Sequence, residues 1–157
     1  MKELLNEWRN FLSEAEAKYS GILKVSLVPE IIEKVQELQD QVVNKNRDAV
    51  KLPEKALHVT AVHQSFMKPF RKQLKTLDLP DAPDPIISND VEIETKEDGG
   101  KKSWAVKIEN QEEMRNYVKQ IMELLGSDNL DPEPERVFHI SLANLTGNPH
   151  DSVIVSS

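Results

Sequence analysis

The sequence predicts an α+β domain built from two similar β-α-β halves. Short runs rich in β-branched residues alternate with segments whose apolar residues recur at helical spacing, which predicts strands alternating with helices. An apolar helix face with spacings of 4, 3 and 4 occurs once in each half, from Ile31 to Val42 and from Met114 to Leu125. A strand that contains a histidine follows each of these helices, at residues 56–62 and 137–142.

The composition is that of a single domain without thiol chemistry. The chain has 157 residues and no cysteine, which excludes a disulfide framework, thiolate metal sites and a cysteine nucleophile. Its net charge of −7 gives no long-range attraction for duplex DNA, although a small phosphorylated ligand can bind in a local basic pocket. No apolar run is long enough to span a membrane and the first residues lack a signal core, so we expect a cytoplasmic protein.

The N-terminal residues 1–20 are expected to form an accessory amphipathic helix outside the main domain at 21–157. Its apolar residues recur along one face, which either packs on the domain or contacts another protein. The residues of this face are Leu4, Leu5, Trp8, Phe11, Leu12 and Ala15.

The first half, about 21–79, begins with a strand at 22–28 and a helix that starts at Pro29, where the first turn tolerates proline. A polar loop at 44–55, the strand at 56–62 and a short helix within 64–79 follow. Three prolines between 80 and 85 then predict an irregular linker.

The second half, about 86–157, begins with a predicted hairpin whose strands are 86–95 and 103–108 and whose turn contains Gly99 and Gly100. Asn110 is a candidate N-cap for the next helix and Gly126 a candidate C′ residue. A loop at 127–136 and the strand at 137–142 follow, and Val153–Val155 is a candidate edge strand.

The two halves also match in their strands. A shift of 81 residues places His58 on His139 and Thr60 on Ser141. The same shift places Leu23, Val25 and Leu27 on Trp104, Val106 and Ile108. This match suggests two related halves that each offer one histidine strand.

All four histidines have a serine or threonine two residues on, but only His58 and His139 lie within apolar strand sequence. Because side chains alternate along a strand, each of these histidines shares a face with its hydroxyl, Thr60 or Ser141, opposite the apolar face. His63 has the opposite parity and is expected to point away if the strand continues. His150, in the tail, is expected to be solvated.

Two such imidazoles suit the cleavage of a phosphodiester. One can act as base at the nucleophile and the other as acid at the leaving oxygen near neutral pH. Hydroxyl groups beside them can donate hydrogen bonds to the non-bridging phosphate oxygens and stabilise the transition state. The alternative is that each histidine only completes a hydrogen bond in the core.

The segments HVTA at 58–61 and HISL at 139–142 resemble the paired signatures of the 2H phosphoesterase superfamily. The family includes RNA 2′,3′-cyclic phosphodiesterases, 2′–5′ RNA ligase-like proteins and viral enzymes that destroy signalling oligonucleotides. The resemblance covers about residues 20–145. It implies a bilobal fold in which antiparallel sheets flank a central cleft. It also implies that His58 and His139 form the acid/base pair, with either order of roles, and that Thr60 and Ser141 bind the phosphate.

The resemblance therefore implies a metal-independent phosphodiesterase without a cofactor, acting on a small nucleotide or short oligonucleotide. Its most specific version cleaves a cyclic oligonucleotide second messenger, as viral anti-defence members do. The alternatives are an RNA 2′,3′-cyclic phosphodiesterase and a non-catalytic nucleotide- or protein-binding module of the same fold. The chain has no third metal ligand at recognisable spacing beside the two histidines.

Further candidates for substrate contacts have weaker signals. Basic side chains could line a phosphate path, at Lys101, Lys102, Lys68, Arg71 and Arg136. Asn144 follows the second motif and is a candidate for the cleft rim. Phe66 or Phe70 could stack on a base, whereas Phe138 has core parity.

Overall fold

The computed structural model describes residues 15–153, which form an α+β structure around one antiparallel sheet of seven strands. The strand order is β1-β2-β4-β7-β6-β5, and β3 pairs with β7. The strands are β1 (Ala17–Tyr19), β2 (Leu23–Ser26), β3 (Val50–Lys51), β4 (His58–Val62), β5 (Glu94–Asp98), β6 (Lys101–Lys107) and β7 (His139–Asn144). The helices are α1 (Pro29–Lys45), α2 (Gln64–Met67), α3 (Arg71–Leu74) and α4 (Gln111–Leu124), with short 3-10 turns at Glu54–Ala56, Lys68–Phe70 and Pro149–Asp151.

Helices α1 and α4 form as the apolar spacing predicts, and they cover one face of the sheet. Pro29 lies in the first turn of α1, and Ile31, Val35 and Val42 are buried. The buried set of α1 also contains Gln39, whose side-chain amide donates to the carbonyls of Leu52 (2.9 Å) and Leu142 (2.8 Å). This amide is satisfied in the core because it bonds two backbone groups.

The ends of α4 agree only in part with the predicted capping. Gly126 follows the helix with φ of +73°, and the backbone N–H groups of Gly126 and Ser127 donate to Glu123 and Met122, which is a Schellman ending. Asn110 occupies the N-cap position, but its side chain accepts from the Ile86 N–H at 3.0 Å and makes no cap hydrogen bond to the helix. Asn110 therefore anchors the segment that precedes the hairpin.

The predicted hairpin forms as β5 and β6, with a turn at Gly99 and Gly100, which have φ of +57° and +82°. Such angles suit the two-residue turns that follow the twist of paired strands. The first strand begins only at Glu94, whereas the sequence indicated residues 86–95. A turn interrupts the earlier part, where the Val91 N–H donates to the Ser88 carbonyl at 3.2 Å.

The predicted helix at 1–20 lies mostly outside residues 15–153, and its last part is wrong. Ala17–Tyr19 form a strand that pairs antiparallel with β2. Backbone pairing with an existing sheet edge outweighs the helical spacing there. The predicted edge strand at 153–155 lies outside the described part except for Val153, which is in no strand.

The 81-residue match in sequence is also a match in strand register. Val59 pairs with Val25 as Ile140 pairs with Val106, and His58 pairs with Ser26 as His139 pairs with Lys107. The register irregularities also match, between Leu23 and Lys24 and between Trp104 and Ala105. The two halves share one sheet, and each packs on the other, because α1 contacts β7 and α4 contacts β4.

Candidate active site

The two histidine motifs lie on adjacent central strands and face the same way. β4 and β7 pair antiparallel through Val59 and Ile140, which are both fully buried under the helices. The neighbouring side chains therefore project from the opposite face of the sheet. Continuing this register places His58 across from Ser141 and Thr60 across from His139. Diagonal neighbours on a sheet face are about 7–8 Å apart, so the two imidazoles can flank one small group.

One cavity of about 540 Å³ contains all four motif side chains. This size is within the usual range for small-molecule sites. Every histidine in the chain lines it, at positions 58, 63, 139 and 150, together with the cationic side chains of Lys24, Lys55 and Arg136. Within residues 15–153, no aspartate or glutamate lines this cavity. A chain of net charge −7 thus gathers positive charge and imidazoles at one place.

His139 has one ring nitrogen committed to its own strand. Nδ1 lies 3.2 Å from the carbonyl oxygen of Val137 and donates to it, which leaves Nε2 for a ligand. Burial lowers the pKa of His139, and nearby Arg136 and His63 lower it further, while the Val137 carbonyl works in the opposite direction. The hydrogen bond therefore fixes the ring and supports its protonated form.

The surroundings of His58 disfavour its charged form more strongly. Its Nδ1 is buried and has no hydrogen-bond partner among the described residues. Burial and the charge of Lys24 lower the pKa of His58 from 6.5 to about 4, although the Ala56 backbone partly offsets this. Ala56 and Val137 each precede their histidine by two residues. The two histidines therefore have matched surroundings, in which His58 is held more strongly in its neutral form.

Arg136, a predicted substrate contact, lines the cavity as a buried cation. Its side chain is 3% exposed and forms an ion pair with Glu133, with Nη1 and Oε1 3.4 Å apart. Its Nε donates to the backbone carbonyl of Thr60 at 3.0 Å. Arg136 therefore links the loop before β7 to the middle of β4, and it adds positive charge between the two motifs.

His63 does not point away from the site, and the reason is that β4 ends at Val62. His63 lies at the start of α2, so strand alternation no longer sets its direction. Its Nδ1 contacts Glu133 Oε1 at 2.6 Å. Nη1 of Arg136 lies 3.1 and 2.9 Å from the two ring nitrogens. A donor that close to both nitrogens lies over the face of the imidazole, so Nη1 of Arg136 contacts the ring of His63.

Three predicted contacts do not line the cavity. Lys101 donates to the His150 carbonyl at 3.4 Å. Lys102 pairs with Asp48 (3.6 Å) and Glu97 (3.5 Å). Asn144 is fully buried. The weaker candidates Lys68, Arg71, Phe66 and Phe70 are also absent from the cavity lining. Phe138 is buried in the core, as its strand parity predicts.

Asn144 instead shapes the loop that follows β7 and forms one cavity wall. Its amide nitrogen donates to the Asn148 carbonyl (2.6 Å) and to Ser152 Oγ (3.0 Å). Its amide oxygen accepts from the N–H groups of Thr146 (3.0 Å) and Gly147 (2.6 Å). The loop then presents Pro149, His150 and Ser152 to the cavity. His150 is exposed, as predicted, but it also lines the site.

Lys24 and Lys55 line the cavity but were not among the predicted contacts. A usable signal existed for Lys55, because it precedes His58 by three residues as Arg136 precedes His139. The position of Lys24 in the cavity follows from strand pairing, since Lys24 is the Cα partner of Thr60. Recognising it required the register of β2 on β4.

The described part of the chain, 15–153, contains no group of three or more metal-ligating side chains. Within the same residues, no helix is both long and apolar enough to cross a membrane. No protein-family model, curated protein or solved structure matches the chain.

Proposed function

We propose that this protein is a metal-independent phosphodiesterase of the 2H type, with two pseudo-symmetric lobes around a cleft. Its substrate is a small nucleotide or short oligonucleotide. The observation that carries the proposal is the placement of His58, Thr60, His139 and Ser141 on one sheet face in a single cavity. Two imidazoles and two hydroxyls are the groups that in-line displacement at phosphorus needs.

The charge of the cavity supports an anionic substrate. Three cationic side chains and no carboxylate line it among residues 15–153. A focused positive cavity in an otherwise acidic chain attracts a compact phosphate ester and disfavours long nucleic acid, which the acidic surface repels. A cyclic oligonucleotide second messenger is the most specific substrate of this kind.

The surroundings of the two histidines favour one order of roles. His139 carries the proton, because its Nδ1–H donates to the Val137 carbonyl and supports the imidazolium form. His58 stays neutral, since its Nδ1 has no partner among the described residues and Lys24 is near. His58 is therefore the general base, and His139 is the general acid.

In the proposed reaction, Nε2 of His58 takes the proton from the attacking 2′-hydroxyl as its oxygen bonds to phosphorus. The bond from phosphorus to the 5′-oxygen breaks, and Nε2 of His139 gives its proton to that oxygen. Thr60 and Ser141 donate hydrogen bonds to the non-bridging oxygens, whose charge they stabilise in the transition state. The products are a 2′,3′-cyclic phosphate and a 5′-hydroxyl, and water can open the cyclic phosphate by the reverse use of the same pair.

A cleavage panel in EDTA, read by mass spectrometry, tests the proposal. The substrates are cyclic di- and trinucleotides, 2′–5′ oligoadenylate, linear dinucleotides and nucleoside 2′,3′-cyclic phosphates. We expect His58→Ala and His139→Ala each to lower kcat by about 10²–10⁴-fold. Thr60→Val and Ser141→Ala should also slow the reaction. Thr76→Val is the matched control, because Thr76 is exposed and lies outside the cavity.

Either of two results would overturn the proposal. One is turnover that EDTA abolishes, which would mean a metal-dependent reaction. The other is no turnover of any substrate by the wild-type protein. Nucleotide binding without turnover would instead indicate the non-catalytic binding module.

A further inference from the structure

The positive charge of the cavity is distributed unequally between the two halves. In the second half, Arg136 lines the cavity and pairs with Glu133, with Nη1 and Oε1 3.4 Å apart. In the first half, Lys24 and Lys55 have no ion pair with any of the described residues 15–153. The side of the cavity near His58 therefore has cationic charge that residues 15–153 do not neutralise.

The pseudo-symmetry shows at which equivalent positions the two halves differ in charge. Lys55 and Arg136 occupy equivalent positions, three residues before each motif histidine. Lys24 corresponds to Ala105, which offers no charge, and the two residues pair with Thr60 and Ser141 respectively. A substrate with one phosphate on the pseudo-twofold axis would not require this asymmetry.

The two lysines also line a second space that continues from the cavity. A groove of about 140 Å³ is lined by both lysines and His58, with Ser26 and Leu57 beside them. Glu16 and Lys18 complete the groove and pair with each other at 3.8 Å. The groove therefore leads from the site of the scissile phosphate past His58, with Lys24 and Lys55 at the junction.

We infer that Lys24 and Lys55 form a second phosphate subsite, which rests on the proposed function. The substrate is then an oligonucleotide whose next phosphate, adjacent to the scissile one, binds at these lysines. A nucleoside 2′,3′-cyclic phosphate has only one phosphate and leaves the subsite empty. This inference favours linear or cyclic oligonucleotides over mononucleotide substrates.

The test compares three dinucleotides, ApA, pApA and ApAp, with the wild-type protein and with Lys55→Ala and Lys24→Ala/Lys55→Ala. A charge-assisted hydrogen bond to phosphate contributes enough for about a tenfold change in KM per lysine. We expect a terminal phosphate at one of the two ends to lower the wild-type KM, and the double variant to remove that advantage. The end that gives the advantage identifies the direction in which the oligonucleotide lies. The control is Lys72→Ala/Lys75→Ala, which removes the same charge outside the cavity lining.

Binding of 2′-O-methyl analogues separates this inference from the proposed function, because these analogues lack the attacking hydroxyl. Lysine-dependent binding of the phosphorylated analogue, with no cleavage of any dinucleotide, would support the subsite and reject the reaction. Cleavage of ApA with no benefit from either terminal phosphate would reject the subsite and keep the reaction. The subsite is also rejected if both variants weaken all three dinucleotides equally, or if no analogue binds.

Discussion

Val59 and Ile140 are backbone partners at the junction of β4 and β7, and each directly follows a motif histidine. Both side chains are fully buried on the helix-covered face of the sheet. Because strand side chains alternate, this one pairing directs both imidazoles to the opposite face. The helix-covered core on one side of the sheet therefore determines the geometry of the cavity on the other.

The proposed roles predict different responses to a better leaving group. A substrate with sulfur in place of the 5′-bridging oxygen needs no acid, because a thiolate leaves without protonation. We expect this substrate to restore most of the kcat lost in His139→Ala and little of that lost in His58→Ala. Equal rescue of both variants, or rescue of His58→Ala alone, would contradict the assignment of base and acid.

The lowered pKa values predict an acidic optimum. The reaction needs one protonated and one neutral imidazole, and both pKa values lie below the usual 6.5, that of His58 at about 4. The singly protonated pair is therefore most populated below pH 6.5. We expect kcat/KM to be highest there and to fall about tenfold per pH unit on the alkaline side.

Lys24→Met tests the cause of this profile. Removing the cation raises the pKa of His58, so the acid limb of the kcat/KM profile moves to higher pH. Lys72→Met, outside the cavity lining, is the control. A wild-type profile that is flat from pH 5 to 8, or an acid limb that stays in place in Lys24→Met, would refute the explanation.

The same pKa predicts how stability depends on pH. His58 has a pKa of about 4 in the folded protein and 6.5 in the unfolded chain. As the pH falls through this window, the unfolded chain takes up the proton first, so folding stability decreases. The loss is at most about 3 kcal/mol, reduced by solvent screening.

Denaturant unfolding of wild type and His58→Asn at several pH values measures this contribution. The variant cannot titrate, and its other groups are unchanged. We expect the free energy of unfolding of wild type to fall relative to the variant between pH 6.5 and 4, and the difference to be constant above pH 7. A pH-independent difference would show that burial does not shift His58.

Local patterns in the sequence predicted the elements of the core well. The helix faces of Ile31–Val42 and Met114–Leu125 and the two histidine strands follow from spacing alone, because burial on one side imposes a period. The predictions for residues 86–93 and 17–19 were wrong. A turn in 86–93 and sheet pairing at 17–19 outweigh the local apolar spacing. Local spacing also could not predict the role of Asn144. Its hydrogen-bond partners lie in the loop after β7, which the Asn144 amide itself organises.

The cavity was predictable only where it depends on strand alternation. His58, Thr60, His139 and Ser141 share a face by parity, so the sequence was sufficient to find them. His63 and Lys24 reach the cavity through the end of a strand and through cross-strand register. Neither feature is encoded in a short motif. Both become visible only once the end of β4 and its pairing with the neighbouring strands are known.

Arg136 and Glu133 form an ion pair, so we expect a loss of folding stability when either residue is changed. Arg136→Ala removes the guanidinium that pairs with Glu133 and donates to the Thr60 carbonyl. Glu133 keeps its contact with His63, so we expect a loss of about 1–3 kcal/mol in the free energy of unfolding. Arg136→Lys keeps the charge, but a single ammonium cannot contact Glu133, the Thr60 carbonyl and the His63 ring together. It should therefore be intermediate in stability and raise KM.

A double-mutant cycle with Glu133→Gln and Arg136→Met isolates the pair. We expect a coupling energy of about 0.5–3 kcal/mol. Exposed Lys18 and Glu16 form the reference pair, where a value of about 0–1 kcal/mol is expected. Equal coupling in the two cycles would mean that burial does not strengthen the Arg136 contact.

We expect Asn144→Asp to loosen one wall of the cavity and to leave the chemical step intact. The change replaces an amide that donates to Asn148 and Ser152 with an oxygen that can only accept, and it buries a charge. We expect a loss of about 1–3 kcal/mol in stability and a higher KM with little change in kcat, because Pro149, His150 and Ser152 lose their support. Asn129→Asp is the matched control, since Asn129 is exposed and uses only its oxygen, which accepts from the Asp131 N–H at 3.1 Å. A fall in kcat equal to the rise in KM would instead place Asn144 in the chemistry, because a loop that only walls the cavity acts on binding.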